Sequence, residues 1–557
     1  MPFVRFHISE QYQSPVPACA SSFLAYASGY GVRVLAARLM FVLFSITLST
    51  DALAAEPELA DAIEQGHADQ ALTLLEQGVN VNAAQVDGMT ALHWSVWRED
   101  VALTERLLAA KAQVNQPNRY GITPLAIACT SGNARLVAQL LEAGADAKAK
   151  LRSGETPLMI AGRTGRSEPV KLLIDAGADV DAMDGSGQTA IMWAAAEGHA
   201  AVVQQLIQAG ADFEQSLESG FNAMMFAVRE GHWDAAQVLL QAGSDVNYAM
   251  QPKRTGGKHP RRGMSPLLMA VENGHLELAM QLVQAGADVN DQRSGFTALH
   301  TLTWVRKPNL GDSADGDPAP EGSGKLTSLD FVRRLAAAGA DVNRRMEGGS
   351  SGRGKLNHKG ATAFLFAART NDVPLLKVLL ELGADSDLRN ADNCTPLLAA
   401  AGIGTLAPGE EAGTEDEAIE TVNFLLDLGA DINHVDDNGE TAMHGAAYKS
   451  LPQVVALLAE RGAKIDVWNQ KNKYGWTPVL IAEGHRPGNF KPAAETLEAI
   501  HRYSSLPPHS TCSHTTQRNQ RLRAAVAQTL ARTMLETADE RLRQIESRAS
   551  NEPRLDR

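Results

Sequence analysis

Histidines are the first side chains to consider for metal binding or proton transfer, because a neutral imidazole can do both near pH 7. His93, His300 and His444 each occupy the fourth position of a recurring tetrapeptide, Thr-Ala-Leu-His or Thr-Ala-Met-His. Because the same position recurs along the chain, we predict structural roles for these side chains rather than catalytic or metal-binding ones. A second set follows a glycine at each occurrence and receives the same interpretation: His199, His232, His275 and His485.

The four cysteines do not form a metal-binding or disulfide pattern. Cys19, Cys129, Cys394 and Cys512 lie far apart without a Cys-x-x-Cys pair, which argues against a finger-type zinc site or a disulfide framework. Cys129 falls on the core-facing side of a predicted helix, so we expect it to act as a small buried hydrophobic residue. Cys512 and His514 together would supply only two metal ligands.

Two glycine-rich segments resemble phosphate-binding loops only superficially. Residues 402–404 read Gly-Ile-Gly, without a predicted strand before them or a helix pattern after them. Residues 256–258 read Gly-Gly-Lys, without the Ser or Thr of a P-loop. Neither a Gly-x-Ser-x-Gly elbow nor a His-Glu-x-x-His pair occurs. The sequence therefore predicts no catalytic, cofactor-binding or metal-binding residues.

The elements that position these side chains repeat at a fixed period. Turn glycines stand 33 residues apart, and a helix-start tetrapeptide follows each of the first four: Gly88, Gly121, Gly154, Gly187 and Gly220. In one unit Thr189 begins a first helix as its N-cap, Gly198 ends that helix, and Gly210 ends a second helix. An extended finger then leads to the next unit. Such a period predicts an all-α repeat solenoid, an architecture that mostly serves binding.

These residues resemble those of the ankyrin-repeat family. Beside the Thr-Pro-Leu-His-like start, its Gly-Ala-Asp-Val-Asn ending stands complete at 286–290 and 339–343. The resemblance covers 55–505, about 11–12 units, with residues 58–82 as N-terminal cap and a C-terminal cap opening at 475–478. It implies helix-turn-helix units joined by β-hairpin fingers, and fourth-position histidines that hydrogen-bond locally and brace neighbouring fingers.

Four insertions interrupt the period and predict exposed loops. Two lie in fingers, at 248–262 and 344–359, and two lie between paired helices, at 306–327 and 404–416. The finger insertions are basic and the other two are acidic, so opposite edges of the solenoid should carry opposite charge. Either the basic residues bind an anion or an acidic partner, or they are solvated loop residues. The candidates are Lys253, Arg254, Arg261, Arg262, Arg344 and Arg345.

A second candidate surface emerges when the units are aligned on the turn glycine. The residue nine positions later lies near the end of each first helix, where the resemblance implies contact with a partner on the concave surface. Tryptophan, tyrosine and arginine dominate interface hot spots, but an aromatic side chain can also pack on the adjacent unit. We call the following residues the first-helix lane: Trp97, Arg163, Arg229, Trp304, Arg369 and Tyr448.

Both ends of the chain depart from the repeat. Residues 1–54 carry Arg33 and Arg38 before an apolar run at 39–46 and a small-residue pattern at 52–54, which is typical of a secretory signal. We expect cleavage near Ala54 and export to the periplasm or medium; an uncleaved N-terminal anchor is the alternative. Residues 506–557 predict an amphipathic helix that packs on the solenoid, pairs with a second copy or docks a partner.

Charge and composition limit the function. The formal net charge of −14, from 51 basic and 65 acidic residues, disfavours nucleic-acid binding. The sequence thus predicts an exported, bacterial-type ankyrin-repeat scaffold that binds a protein partner without catalysis, cofactor or stable membrane span. The alternatives are a chaperone-like accessory factor for an exported enzyme and, less favoured, an enzyme with a site across the insertions. Partner identity and oligomeric state stay open.

Overall fold

The computed structural model describes residues 57–255, 261–309, 320–350, 352, 355–486 and 489–504. The predicted secretory signal (1–54) and the predicted C-terminal amphipathic helix (506–557) lie outside the described residues. Parts of three of the four insertions also lie outside them.

Twenty-five helices occur within these ranges, and all but one form consecutive pairs, which we call units. The first helices of the units are α1 (Glu58–Glu64), α3 (Ala91–Trp97), α5 (Pro124–Ser131), α7 (Pro157–Thr164), α9 (Ala190–Ala196), α11 (Ala223–Arg229), α13 (Pro266–Glu272), α15 (Ala298–Arg306), α17 (Ala363–Arg369), α19 (Pro396–Ala401), α21 (Ala442–Lys449) and α24 (Pro478–Ala482). The second helices are α2 (Ala68–Glu76), α4 (Val101–Ala109), α6 (Ala134–Glu142), α8 (Ser167–Asp175), α10 (Ala200–Gln208), α12 (Trp233–Gln241), α14 (Leu276–Gln284), α16 (Ser328–Ala337), α18 (Val373–Glu381), α20 (Glu415–Asp427), α22 (Pro452–Glu460) and α25 (Ala494–Ser504). The unpaired α23 (Ile465–Trp468) is a single turn in the finger before the last unit.

The units stack as two rows of helices. First helices pack against first helices of neighbouring units, and each second helix packs on the first helix of its own unit and, from α4 on, on neighbouring second helices. The first-helix row is deeply buried: in α9, Ile191, Ala194 and Ala195 are inaccessible to solvent. One apolar core runs continuously from Leu59 to Ile500. The predicted helical repeat solenoid is therefore confirmed, with twelve helix pairs in the described part of the chain.

Threonine begins most first helices, as predicted, but the predicted cap at Thr189 is wrong in detail. The hydroxyls of Thr123 and Thr156 accept hydrogen bonds from the backbone N–H three residues later. The Thr189 hydroxyl is buried and has no hydrogen-bond partner among the described residues. Thr189 thus occupies the same N-cap position as Thr123 and Thr156, but it does not form their side-chain hydrogen bond.

The fingers are tight turns rather than the β-hairpin ladders that the resemblance implies. Most fingers are closed by two backbone bonds, such as Asn118 N–H to Ile122 O and Gly121 N–H to Asn118 O, both at 2.9 Å. Across the described residues only isolated bridges occur, for example Ala84 with Thr90. Gly88 has φ +85°, and a Cβ there would meet Arg119 N at 2.7 Å, because neighbouring fingers stack closely. The positive φ recurs at the turn glycines Gly121, Gly154, Gly187 and Gly220, and it favours glycine there.

The four insertions lie at the turns between helices. Residues 248–262 join α12 to α13 and residues 344–359 join α16 to α17, so both belong to fingers. Residues 306–327 join α15 to α16, and residues 404–416 join α19 to α20. Helix α20 begins at Glu415, inside the predicted loop, because Thr414 and Glu417 form a capping box.

Candidate functional site

The fourth-position histidines are structural, as predicted. His93 Nδ1 accepts a hydrogen bond from Thr90 N–H at 3.2 Å, so its Nε2 carries the proton and donates to Ile122 O at 3.1 Å. His300 and His444 repeat this arrangement across later fingers. Burial lowers the pKa of both His300 and His444 to about 4, so the rings stay neutral near pH 7.

Histidines that follow the helix-ending glycines hold the first-helix lane in place. His199 Nε2 lies 2.9 Å from the carbonyl oxygen of Arg163, and His275 Nε2 lies 2.9 Å from that of Arg229. The imidazole of His199 packs directly on Gly165, where a Cβ would come within 2.4 Å of the ring. The backbones of Arg163 and Arg229 are thus held by the following unit.

The N-terminal part of the lane is apolar and exposed. Trp97 is 62% exposed at the end of α3. Val86 and Tyr120, on the two adjacent fingers, are 87% and 62% exposed. This part of the array therefore presents three large apolar side chains to solvent. The alignment of the repeat units on the turn glycine identified only Trp97. Val86 and Tyr120 stand within two residues of the turn glycines Gly88 and Gly121, a signal that could have located them.

In the middle of the lane, arginines stack on aromatic rings. The Arg163 guanidinium lies 5.3 Å from the Trp193 ring centroid and forms an ion pair with Glu155 at 3.3 Å. Arg229 lies 5.3 Å from the ring centroid of Phe221. Both arginine side chains remain 40% exposed. Because Glu155 and Phe221 belong to the fingers, lane and fingers form one continuous surface.

The lane becomes more buried towards the C-terminal units. Trp304 is half-buried and packs edge-on against Phe296 and Phe366, with ring centroids 5.2 and 6.2 Å apart. Arg369 forms an ion pair with Glu411 at 2.7 Å, and its side chain is 21% exposed. At these two positions much of the side chain is already committed to contacts within the chain.

Tyr448 is fully buried, so the packing alternative applies at this lane position. Its hydroxyl donates to Glu440 Oε1 at 2.7 Å and accepts from Asn472 Nδ2 at 3.1 Å. The Arg486 guanidinium covers the ring at 5.3 Å from its centroid. Burial raises the pKa of Tyr448 and raises that of Glu440 to about 7. Tyr448 is therefore not accessible to a partner in this structure.

The first basic insertion keeps its charges at the surface. Lys253 forms an ion pair with Glu218 of the preceding finger at 2.7 Å, and Arg261 forms one with Glu272 at 2.6 Å. Arg254 and Arg262 are exposed. Lys253 is the main cause of a lowered pKa for Glu218. Of these four cations, Arg261 lies beside the lane, since its partner Glu272 stands nine residues after the turn glycine Gly263, in the register of the lane.

The second basic insertion mainly braces neighbouring fingers. Arg344 Nε donates to Gln292 Oε1 at 2.7 Å. Arg345 donates to the carbonyl oxygen of Gly360 at 3.0 Å and to that of Arg389. The two guanidinium groups thus tie three successive fingers together, a role that neither sequence-based alternative included.

The acidic insertions are partly neutralised within the chain. Glu411 pairs with Arg369, and Glu417 pairs with Lys307 at 2.6 Å. Residues 310–319, which carry most of the first acidic run, lie outside the described residues. The described part of this edge is therefore a mixed ionic network and not a purely acidic surface.

The described residues contain neither a metal-binding cluster nor a helix that could span a membrane. No group of three or more His, Cys, Asp or Glu side chains there could hold a metal ion. No helix in the described ranges is both long and apolar enough to cross a membrane. Cys129 and Cys394 are buried free thiols, and burial raises the pKa of each, as expected for core residues.

Comparison with known proteins identifies ankyrin repeats along much of the chain. A three-copy ankyrin-repeat model matches residues 59–151, 98–184, 158–250 and 412–493, and a single-repeat model matches 262–293. The E3 ubiquitin-protein ligase KEG of Arabidopsis thaliana is 33% identical over 150 residues, which are 26% of this chain and 8% of that protein. Neurogenic locus notch homolog protein 1 of Mus musculus is 34% identical over 167 residues, which are 30% of this chain and 6% of that protein.

Other similar proteins also match over short segments. SH3 and multiple ankyrin repeat domains protein 2 of Homo sapiens is 26% identical over 206 residues, covering 33% of this chain and 10% of that protein. The chain thus spans a tenth or less of the length of these three relatives. A crystal structure of the human ASB11 ankyrin repeat domain is 26% identical, with a TM-score of 0.36, and covers 41% of this chain and 98% of that one.

Proposed function

Because this chain belongs to the ankyrin-repeat family, we propose that it is a non-catalytic scaffold that binds a protein partner. The binding surface consists of the first-helix lane and the fingers beside it, on the concave face that the family resemblance implies. One observation carries the proposal: Trp97, at the end of α3, and Val86 and Tyr120, on the fingers that precede and follow the α3–α4 unit, are all largely exposed. Large exposed apolar side chains rimmed by polar residues are typical of interaction sites.

The arginines in the middle of the lane strengthen this interpretation. Stacking of Arg163 on Trp193 and of Arg229 on Phe221 restricts each guanidinium before a partner arrives. Such restriction lowers the entropy lost on binding, and most N–H donors of both groups stay available. A partner that presents apolar groups to Trp97 and carboxylates or carbonyl oxygens to the two arginines fits this surface.

Capture by the tagged full-length chain tests the proposal with a matched pair of variants. Trp97→Ala and Phe490→Ala each remove an exposed aromatic side chain, 62% and 80% exposed, but Phe490 lies in the last unit. We expect the wild-type chain to capture one stoichiometric partner. Trp97→Ala should lower the affinity for that partner at least about tenfold, and Phe490→Ala should leave the affinity unchanged. Equal capture by both variants would contradict the proposal. Many weakly bound clients would instead favour the chaperone-like accessory function.

We also propose that the protein is exported in the manner of a bacterial ankyrin-repeat protein. The proposal rests on the sequence of residues 33–54 alone. Mass spectrometry of the mature protein should give an N-terminus near residue 55. A mature protein that retains the residues before Ala55 would argue for the uncleaved anchor.

A further inference from the structure

A cavity lies between the two acidic insertions, 306–327 and 404–416, beside the C-terminal part of the first-helix lane. Its walls are the end of α15, the 404–416 insertion, the first turn of α20 and the end of α21. The cavity has a volume of about 460 Å³, within the range of small-molecule sites. Its charged lining residues are Arg306, Lys307, Glu411, Glu415, Glu417 and Lys449.

Most charges around the cavity form ion pairs. Arg306 binds both carboxylate oxygens of Asp372, at 2.7 and 3.1 Å. Lys307 pairs with Glu417, and Glu411 pairs with Arg369 just outside the lining. These pairs leave two charged lining residues: the anion Glu415, which accepts hydrogen bonds from Gln453, and one cation.

That cation is Lys449, at the end of α21. Its side chain is buried, with the residue 6% exposed, and it forms no ion pair within the described part of the chain. The Lys449 ammonium donates to Ala412 O at 2.6 Å and to Asn371 Oδ1 at 3.1 Å, with the Asn371 amide oriented to satisfy both of its polar atoms. Since an ammonium has three N–H donors, one remains available at the cavity wall.

A buried ammonium whose direct partners are neutral oxygens is costly, because they replace only part of its hydration. Burial lowers the pKa of Lys449 to about 8, although the nearby charges of Glu411 and Glu417 act in the opposite direction. A carboxylate that enters the cavity would form the missing charge-assisted bond. The side chains of Pro308, Ala412 and Leu451 give the rest of the wall apolar character.

We propose that this cavity binds a small organic carboxylate with a compact apolar body. The carboxylate accepts a hydrogen bond from Lys449, and the apolar body packs against Pro308 and Leu451. This site adjoins the first-helix lane at Arg369, which pairs with the lining residue Glu411. It includes none of Trp97, Val86 and Tyr120, which carry the proposed partner surface, so either proposal can fail while the other stands. The alternative is that Lys449 serves only to clamp the 404–416 insertion through Ala412 O.

Saturation-transfer NMR on the full-length chain tests the site with benzoate, and with benzamide as a neutral probe of similar shape. We expect saturable benzoate binding and at least tenfold weaker benzamide binding. Lys449→Met should weaken benzoate binding at least tenfold, whereas Lys171→Met, at an exposed lysine on α8, should leave it unchanged. Equal binding of the two probes, or none of benzoate up to about 10 mM, would overturn the proposal.

A second pair of variants keeps the test valid if Lys449→Met does not fold. Glu415 lines the cavity, whereas its neighbour Asp416 is exposed and does not. Both Glu415→Gln and Asp416→Asn remove one negative charge from the first turn of α20. Because repulsion rises steeply at short range, Glu415→Gln should strengthen benzoate binding at least about threefold, and Asp416→Asn should change it less. An equal effect of the two variants, or none from Glu415→Gln, would overturn the proposal.

Discussion

Glu440 is a buried carboxyl group in a hydrogen-bonded cluster at the C-terminal fingers. It accepts from the Tyr448 hydroxyl and from Asn472 Nδ2, at 2.7 and 2.9 Å, and Asp436 lies nearby. Burial is the largest cause that raises its pKa to about 7, and the charge of Asp436 adds to it. The folded state therefore holds the Glu440 proton more tightly than the unfolded chain does.

This difference predicts a pH-dependent stability that Glu440→Gln should remove. Between the ordinary value of 4.5 and about 7 the folded state binds more protons, so this contribution to stability falls as pH rises. Relative to wild type, Glu440→Gln should gain up to about 3 kcal/mol of unfolding free energy between pH 4.5 and pH 8. Urea unfolding of both proteins across this range measures the gain.

The neutral histidines act in the opposite direction but do not obscure this comparison. With folded pKa values of about 4, His300 and His444 add stability as pH rises from about 4 to their ordinary 6.5. Both proteins share them, so the difference between the two curves isolates Glu440. A difference that stays constant with pH would contradict the assignment.

Trp97 and Tyr448 show how far a single residue can be predicted from the sequence. The 33-residue register placed both at the same position of the unit, and both do lie at the end of a first helix. Their exposures differ completely, because Arg486 and the Glu440 cluster cover only Tyr448. These covering residues are specific to the last units, so a repeat alignment cannot reveal them.

At the scale of elements, long basic side chains hold the 404–416 insertion against the solenoid. Arg486 is 3% exposed and donates to Thr405 O at 2.8 Å and to Tyr448 O. Lys449 donates to Ala412 O from the other side. The sequence predicted an insertion here. It could not predict how the insertion is closed, because these partners lie 37 to 81 residues apart.

Replacing this clamp should loosen one element without unfolding the array. Arg486→Met leaves buried carbonyl oxygens at Thr405 and Tyr448 without donors, a cost of about 1–3 kcal/mol. We expect faster amide hydrogen exchange across 404–416 and little change in the N-terminal units. Arg333→Met, which removes exposed pairs with Asp330 and Glu381, is the control and should cost less. Unchanged exchange at 404–416 in Arg486→Met would contradict the clamp.

At the scale of the whole molecule, the repeat period predicts the solenoid and most helix positions. Each helix start depends on local Thr, Pro and Gly residues, and each unit packs chiefly on its neighbours, so short-range patterns suffice. The finger conformation, the braces formed by Arg344 and Arg345, and the cavity beside Lys449 depend on contacts between units. Those features required the structure.

The central claim is that a partner binds the lane and fingers around Trp97. The most direct measurement is photo-cross-linking in the native host, with a photoreactive amino acid placed at position 97 and, as a control, at position 490. We expect one discrete protein adduct from position 97 and none from position 490. No adduct from position 97, or the same adduct from both positions, would contradict the claim.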